Sequence, residues 1–166
     1  MAPQPAALAQ VRIQTEDFDL SAEVAALHAA DARVGAVAVF VGTVRALDEG
    51  QALDCLELEH YPGMTERAIE GMIEQARQRF EIFGARVLHR VGRLGLGEQI
   101  VLVAVTAAHR GQAFQACEFL MDYLKTQAPF WKKEHSASGS RWVDARASDD
   151  AALAKWGIAA SNASLG

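Results

Sequence analysis

The stretch Arg86-Val-Leu-His-Arg-Val-Gly-Arg-Leu94-Gly-Leu-Gly97-Glu98-Gln-Ile-Val-Leu-Val-Ala-Val-Thr-Ala107-Ala-His109-Arg110-Gly-Gln-Ala-Phe-Gln-Ala-Cys-Glu-Phe-Leu-Met-Asp-Tyr-Leu-Lys125-Thr-Gln-Ala-Pro129-Phe-Trp-Lys132-Lys133 decides how this chain of 166 residues folds. Its first part holds two apolar runs of strand length, Arg86–Leu94 and Glu98–Ala107, joined by Gly95-Leu96-Gly97. That pattern predicts a pair of strands around a hairpin turn. A helix then runs from about Gly111 to Lys125, because Ala113, Ala116, Cys117, Leu120 and Leu124 recur at helical spacing and define one buried stripe. Pro129 cannot donate a backbone hydrogen bond, so the helix must end before it. Phe130–Glu134 and Arg141–Asp144 read as extended segments around the polar turn Ser136–Ser140.

Working toward the N-terminus, Thr65 caps a helix that reaches about Phe80, with Ala68, Ile69, Met72, Ile73, Ala76 and Phe80 on its apolar face. Leu53–His60 alternates as a strand with one wet face. The segment Ala46–Ala52 is a turn or mobile loop. Gly35–Arg45 is rich in Val and reads as a strand buried on both faces, where Gly42 marks a bulge or a close backbone approach. Asp19 or Ser21 caps a short helix through His28, and Val11–Gln14 is a first strand. Toward the C-terminus, Asp149–Trp156 makes a last short helix. Strands and helices alternate irregularly, which places the chain in the α+β class. The expected organisation is a flexible leader over 1–9, one domain over 10–156 and a flexible tail over 157–166.

The formal net charge is −5, against the Lys/Arg excess expected of a nucleic-acid-binding protein. Val34–Val41 and Ile100–Ala108, the longest apolar runs, are too short to span a bilayer. The start of the chain lacks the basic and apolar regions of a secretory signal. Cys55 and Cys117 form no Cys-x-x-Cys pair, and His28, His60, His89 and His135 have no metal-ligand spacing. The four histidines read as packing or surface residues. A soluble cytoplasmic protein with no metal, no cofactor, no nucleic acid and no membrane partner is the expectation.

Against that acidic background, His109, Arg110, Lys125, Lys132 and Lys133 put five basic or potentially basic groups into 25 residues. Such a bias suits a small anion. His109 and Arg110 enter a helix where exposed N–H groups and the positive dipole end favour anions, and the arginine fork fits phosphate. Lys125 closes the same helix, and the Pro129-Phe130-Trp131 turn brings two more lysines near it. In an extended segment only one of Lys132 and Lys133 can share the side of Lys125. A lysine among other cations and aromatic rings can serve as proton carrier or nucleophile. Arg45 ends a Val-rich strand, and Arg141 and Arg146 bracket Trp142. Plain structural readings stand beside each: an arginine at a strand's wet end, or a lysine opposing the negative end of a helix dipole. Gly95-Leu96-Gly97 lacks the third glycine and helix of a dinucleotide fingerprint.

Longer blocks carry more. Val41-Gly-Thr-Val-Arg45, Leu58-Glu-His-Tyr-Pro-Gly-Met-Thr65, Thr106-Ala-Ala-His-Arg110, Met121-Asp-Tyr-Leu-Lys125, Ala128-Pro-Phe-Trp-Lys132 and Arg141-Trp-Val-Asp-Ala-Arg146 resemble, in order over about residues 10–156, the large catalytic subunits of molybdopterin synthase, the MoaE family. The resemblance implies an α/β-hammerhead-type α+β domain with an antiparallel or mixed sheet and packed helices. It implies a homodimer within a heterotetramer, each protomer binding a small ubiquitin-like sulfur carrier of the MoaD type. That carrier's Gly-Gly terminus bears a thiocarboxylate, whose sulfur passes to cyclic pyranopterin monophosphate to build the dithiolene of molybdopterin. This is a sulfurtransferase step of molybdenum cofactor biosynthesis. By the same resemblance Lys125 and Lys132 are catalytic, while Arg45, His109, Arg110 and Arg146 hold substrate in the same pocket, Arg146 from the other protomer. The competing expectation is a non-catalytic dimeric module that binds a phosphorylated metabolite or a carrier tail.

Overall fold

Strand β7 (Gln99–Ala107) is apolar nearly throughout and buried from Val101 onward, so it must lie inside a sheet and not at its edge. The computed structural model, which describes residues 10–29, 31–48, 50–143 and 147–158, places it there. Strand β5 (Gly84–Arg90) flanks it antiparallel on one side, with Val87 opposite Val103. Strand β2 (Ala36–Thr43) flanks it antiparallel on the other, with Phe40 opposite Val103. Strand β1 (Val11–Gln14) adds parallel to β5, giving the order β1-β5-β7-β2. Helix α3 (Arg110–Gln127) follows β7 almost at once and folds back along it, with Cys117 Sγ 3.9 Å from the Val103 carbonyl. The helix is about 27 Å long and the strand about 30 Å, so one spans the other.

Helix α2 (Met64–Arg79) lies beside α3, and their apolar faces close over this sheet. Ile69, Met72, Ile73 and Ala76 meet Val87, Val103, Val105, Phe119 and Leu120 in the main core. The stripe of α3 is buried as its spacing predicts, joined by Phe119 and Met121. On the opposite face, Phe18, Leu88, Leu102 and Ala104 form a smaller core under helix α1 (Leu20–His28). Asp19 is the cap of α1, accepting the Ala22 N–H at 3.0 Å.

The second sheet is built on β4 (Gln51–His60). The short strand β3 (Leu47–Asp48) and strand β6 (Gly92–Gly95) pair with β4, as does β8 (Phe130–Ser136), and β9 (Gly139–Val143) pairs with β8. The burial pattern of β4 changes phase between Leu53 and Leu56, and the register slips at that place, as an extra residue in one strand requires. Helix α4 (Ala147–Ala154) starts earlier than its sequence suggests. Beyond it Trp156 packs edge-to-face on Phe119 with centroids 5.5 Å apart, and its indole N–H donates to Asp122 at 2.7 Å.

Several expectations need correction. Strand β2 is not buried on both faces: it is the last strand of its sheet, and Val39 and Phe40 remain exposed. Gly42 does mark a bulge, since the register shifts beside it and a Cβ there would stand 2.9 Å from a Val101 methyl. The Arg86–Leu94 run is two strands, because Gly92 takes φ 88° and turns the chain from the first sheet to the second. Gly95-Leu96-Gly97 therefore links two sheets and is no hairpin turn. Ala46–Ala52 includes the β3–β4 hairpin. Thr65 is not the cap of α2, whose N-cap is Gly63. Its buried hydroxyl accepts the Tyr61 N–H at 2.9 Å and donates to the Pro129 carbonyl at 3.0 Å, tying α2 to the break after α3. Ile158 packs against the main core, and the expected leader 1–9 and residues 159–166 of the expected tail lie outside the described residues. No helix among the described residues is long and apolar enough to cross a membrane.

Candidate functional site

Because α3 runs back along β7, its last turn lies at the end of the sheet where β7 begins. Strand β2 ends there, Thr43 standing opposite Gln99, and β5 ends there, His89 standing opposite Val101. Three elements thus deliver Lys125, Arg45 and His89 to one end of the first sheet. Both Lys125 and Arg45 are exposed, and His89 is buried.

Phe130 joins this end to the second sheet. It follows Pro129, opens β8, and stacks on His89 with centroids 3.9 Å apart and planes 20° from parallel. Across the sheet Phe130 stands opposite His60 and Lys132 opposite Leu58. Side chains alternate along a strand, so Phe130, Lys132 and Glu134 share one face while Trp131, Lys133 and His135 take the other. Lys132 is half-buried with Nζ 3.9 Å from Glu134, and the buried Glu134 carboxylate also pairs with Arg141 at 3.2 Å. Lys133 lies over the Trp142 ring at 5.4 Å on the outer face. The sequence argument that only one of the two lysines can share a side with the rest of the cluster selects Lys132. On that outer face, Trp131 and Trp142 line an open depression with Glu59 and His60.

Electrostatics at this end are set by burial and like charge. Burial pushes His89 down to about 4, and the nearby positive charges of Lys125 and His60 push in the same direction. The imidazole is therefore neutral at pH 7, with Nδ1 donating to the Arg90 carbonyl at 2.7 Å. His60 lies 3.5 Å from Glu66 on the first turn of α2. Neither thiol stands ready as a nucleophile: Cys55 and Cys117 are buried, and burial pushes the Cys117 thiol up to about 11. Among the described residues no three His, Cys, Asp or Glu side chains gather to hold a metal ion.

His109 and Arg110 stand elsewhere. They are the N-cap and first residue of α3, exposed at the far end of the helix. Arg110 and Lys125 stand fifteen positions apart, about 22 Å of helix. One chain alone does not bring these groups into one pocket with the lysines. Arg146 lies outside the described residues. Conversely, sequence reading gave His60 and His89 only a packing or surface role, which the burial of His89 fits, and passed over Glu134. The alternation Ala85-Val87-His89 carried a signal for His89, since it continues an apolar face.

Comparison with known proteins places this geometry. The family described as MoaE protein matches residues 13–127. A molybdopterin synthase catalytic subunit of Ralstonia nicotianae is 58% identical over 154 residues, 93% of this chain and 88% of that protein. One of Pseudomonas aeruginosa is 51% identical over 88% of this chain and 97% of its own length. Among solved structures, a molybdopterin biosynthesis MoaE protein from Burkholderia ambifaria superposes with a TM-score of 0.78 at 58% identity, covering 91% of this chain and 99% of that one. The crystal structure of molybdopterin synthase from Staphylococcus aureus gives 0.77 at 29% identity, over 82% of this chain and 98% of that one. With the family match over more than half its length and relatives this similar over nearly all of it, the chain belongs to the MoaE family.

Proposed function

We propose that this chain is the catalytic subunit of a molybdopterin synthase. It moves sulfur from the C-terminal thiocarboxylate of a small MoaD-type carrier to cyclic pyranopterin monophosphate, a step of molybdenum cofactor biosynthesis. The observation that carries the reading is the 58% identity, across 93% of the chain, to a protein of that name. The site chemistry agrees with it. Sulfur that arrives on a partner needs no reactive cysteine on the enzyme, and both thiols here are buried. Lys125 and Arg45 at one end of the first sheet, with Lys132 on the adjoining second sheet, supply positive charge for a phosphate and for a carboxyl terminus.

In this reading Lys125 and Lys132 are the catalytic pair. Lys125 meets the incoming carrier terminus and stabilises charge as the sulfur leaves the acyl carbon. Lys132, oriented by Glu134, carries or donates a proton at the same place. Arg45 holds the phosphate. His109, Arg110 and Arg146 complete the substrate site from a second copy of the chain, because about 22 Å of helix separates the first two from Lys125 within one protomer. A homodimer with one carrier on each protomer, a heterotetramer, follows. The reaction belongs in the cytoplasm, where thiols such as these two stay reduced.

The test is reconstitution. Purified protein, thiocarboxylated carrier and cyclic pyranopterin monophosphate should yield molybdopterin, and Lys125→Ala should bind the carrier yet form none. Absence of product from the unaltered protein overturns the reading. Binding of both ligands without turnover would instead identify a non-catalytic binding module.

A further inference from the structure

Granting the functional reading above, the two lysines reach the site on different sheets, and something must hold those sheets in register. Lys125 rides on α3 over the first sheet, whereas Lys132 lies on β8 of the second. Between them stands the His89–Phe130 stack, one ring on β5 and the other two residues before Lys132. We infer that His89 is a positioning residue for sulfur transfer: its imidazole, anchored to the Arg90 carbonyl, is the platform that fixes Phe130 and thereby sets Lys132 against Lys125.

Three observations support this role. First, the ring cannot rotate freely: a carbonyl only accepts, so Nδ1 carries the proton and the 2.7 Å bond fixes the plane of the imidazole. Second, the anchor sits where β5 ends, immediately before Gly92 sends the chain to the other sheet. His89 therefore contacts the second sheet at the crossover itself. Third, the neighbouring Lys125 faces a neutral ring, so the platform adds no positive charge beside it. A leucine would fill the volume, but would lack both the flat surface for Phe130 and the anchoring N–H. A lost platform would let β8 shift, and displacement of a reacting group by about 1 Å can cost about 100-fold in rate.

The test is a steady-state assay with thiocarboxylated carrier and cyclic pyranopterin monophosphate. His89→Gln keeps an N–H for the Arg90 carbonyl and removes the ring. It should lower kcat about 10- to 100-fold while both KM values stay within about twofold. His89→Phe restores a ring against Phe130 and should recover kcat to within about fivefold of the original protein. Phe130→Leu should slow transfer as much as His89→Gln, and the double variant no further. A wild-type kcat in His89→Gln, or a His89→Phe as slow as His89→Gln, overturns the inference. Should His89→Gln not fold, the His89→Phe and Phe130→Leu arms decide alone, a wild-type kcat in Phe130→Leu being the contrary result. If the unaltered protein makes no product, it is the functional reading that fails. The platform is then judged by NMR: the 13Cε resonance of Lys125 moves in the His89 variants if the inference holds, and stays in place if it does not.

Discussion

The two ends of helix α3 look alike as sequence and differ as structure. At its start, His109 and Arg110 are exposed, His109 makes no side-chain capping bond, and the first turn holds no acidic residue. Placing a cation such as Arg110 at the positive end of a helix dipole costs about 0.3–1 kcal/mol, so helix stability does not account for it. At its end, Lys125 opposes the negative dipole and borders a built cluster of His89, Phe130, Lys132 and Glu134. The lesson is that one end is organised within the protomer, while the other carries charge that no acidic residue of its own first turn offsets.

The largest expected effect bears on the organised end. Lys125→Ala should reduce product formation about 100- to 10,000-fold with an unchanged circular dichroism spectrum, as loss of a proton-transfer or charge-stabilising group requires. A modest loss would place the chemistry elsewhere. The bare end is probed by subunit mixing. Arg110→Ala alone should be strongly impaired, yet mixing it with Lys125→Ala should restore activity, because one of the two sites in a mixed dimer then has both groups intact. Failure of the mixture to exceed either parent would mean that the two ends do not serve one composite site.

Acid should separate the ends by stability. His89 is held at about 4 in the folded protein against an ordinary 6.5, so the unfolded chain binds the extra proton first. The contribution of its neutral ring is complete above pH 6.5 and is lost as pH falls toward 4, up to about 3 kcal/mol in all. Urea unfolding at pH 7 and pH 4.5 should show that loss, and His89→Phe should lose less across the same interval. An identical loss in both proteins would assign the acid sensitivity to other groups. The smallest effect belongs to Lys133, whose side chain lies over Trp142 on the outer face. Lys133→Ala should leave kcat within about twofold, where Lys132→Ala lowers it at least tenfold, and equal losses would contradict the assignment of faces.

Much of the fold was legible in local pattern. Pro129 and the Ala113–Leu124 stripe bound α3 almost to the residue, and the extended Phe130–Glu134 segment separated Lys132 from Lys133 by simple alternation. Errors collected where partners are distant in sequence. Val39 and Phe40 looked like core because their strand is apolar, yet exposure depends on whether another strand or helix covers them. Arg86–Leu94 looked like one strand because periodicity says nothing of a change of partner at Gly92. His89 looked like an ordinary packing histidine, since neither its stack nor its lowered proton affinity has a local signature.

The sequence by itself thus determined where the main helices lie, which face each presents, that basic groups cluster in one stretch, and, through ordered blocks, the family. These properties follow from backbone geometry and residue chemistry repeated over a few turns or strand positions. Only the tertiary structure decided that the stretch is divided, with His109 and Arg110 a helix length from Lys125, and that Phe130, two residues before Lys132, stacks on His89. Both outcomes depend on how a rigid helix lies against a sheet and which strand meets which. Those are contacts between residues far apart along the chain, which local spacing does not encode.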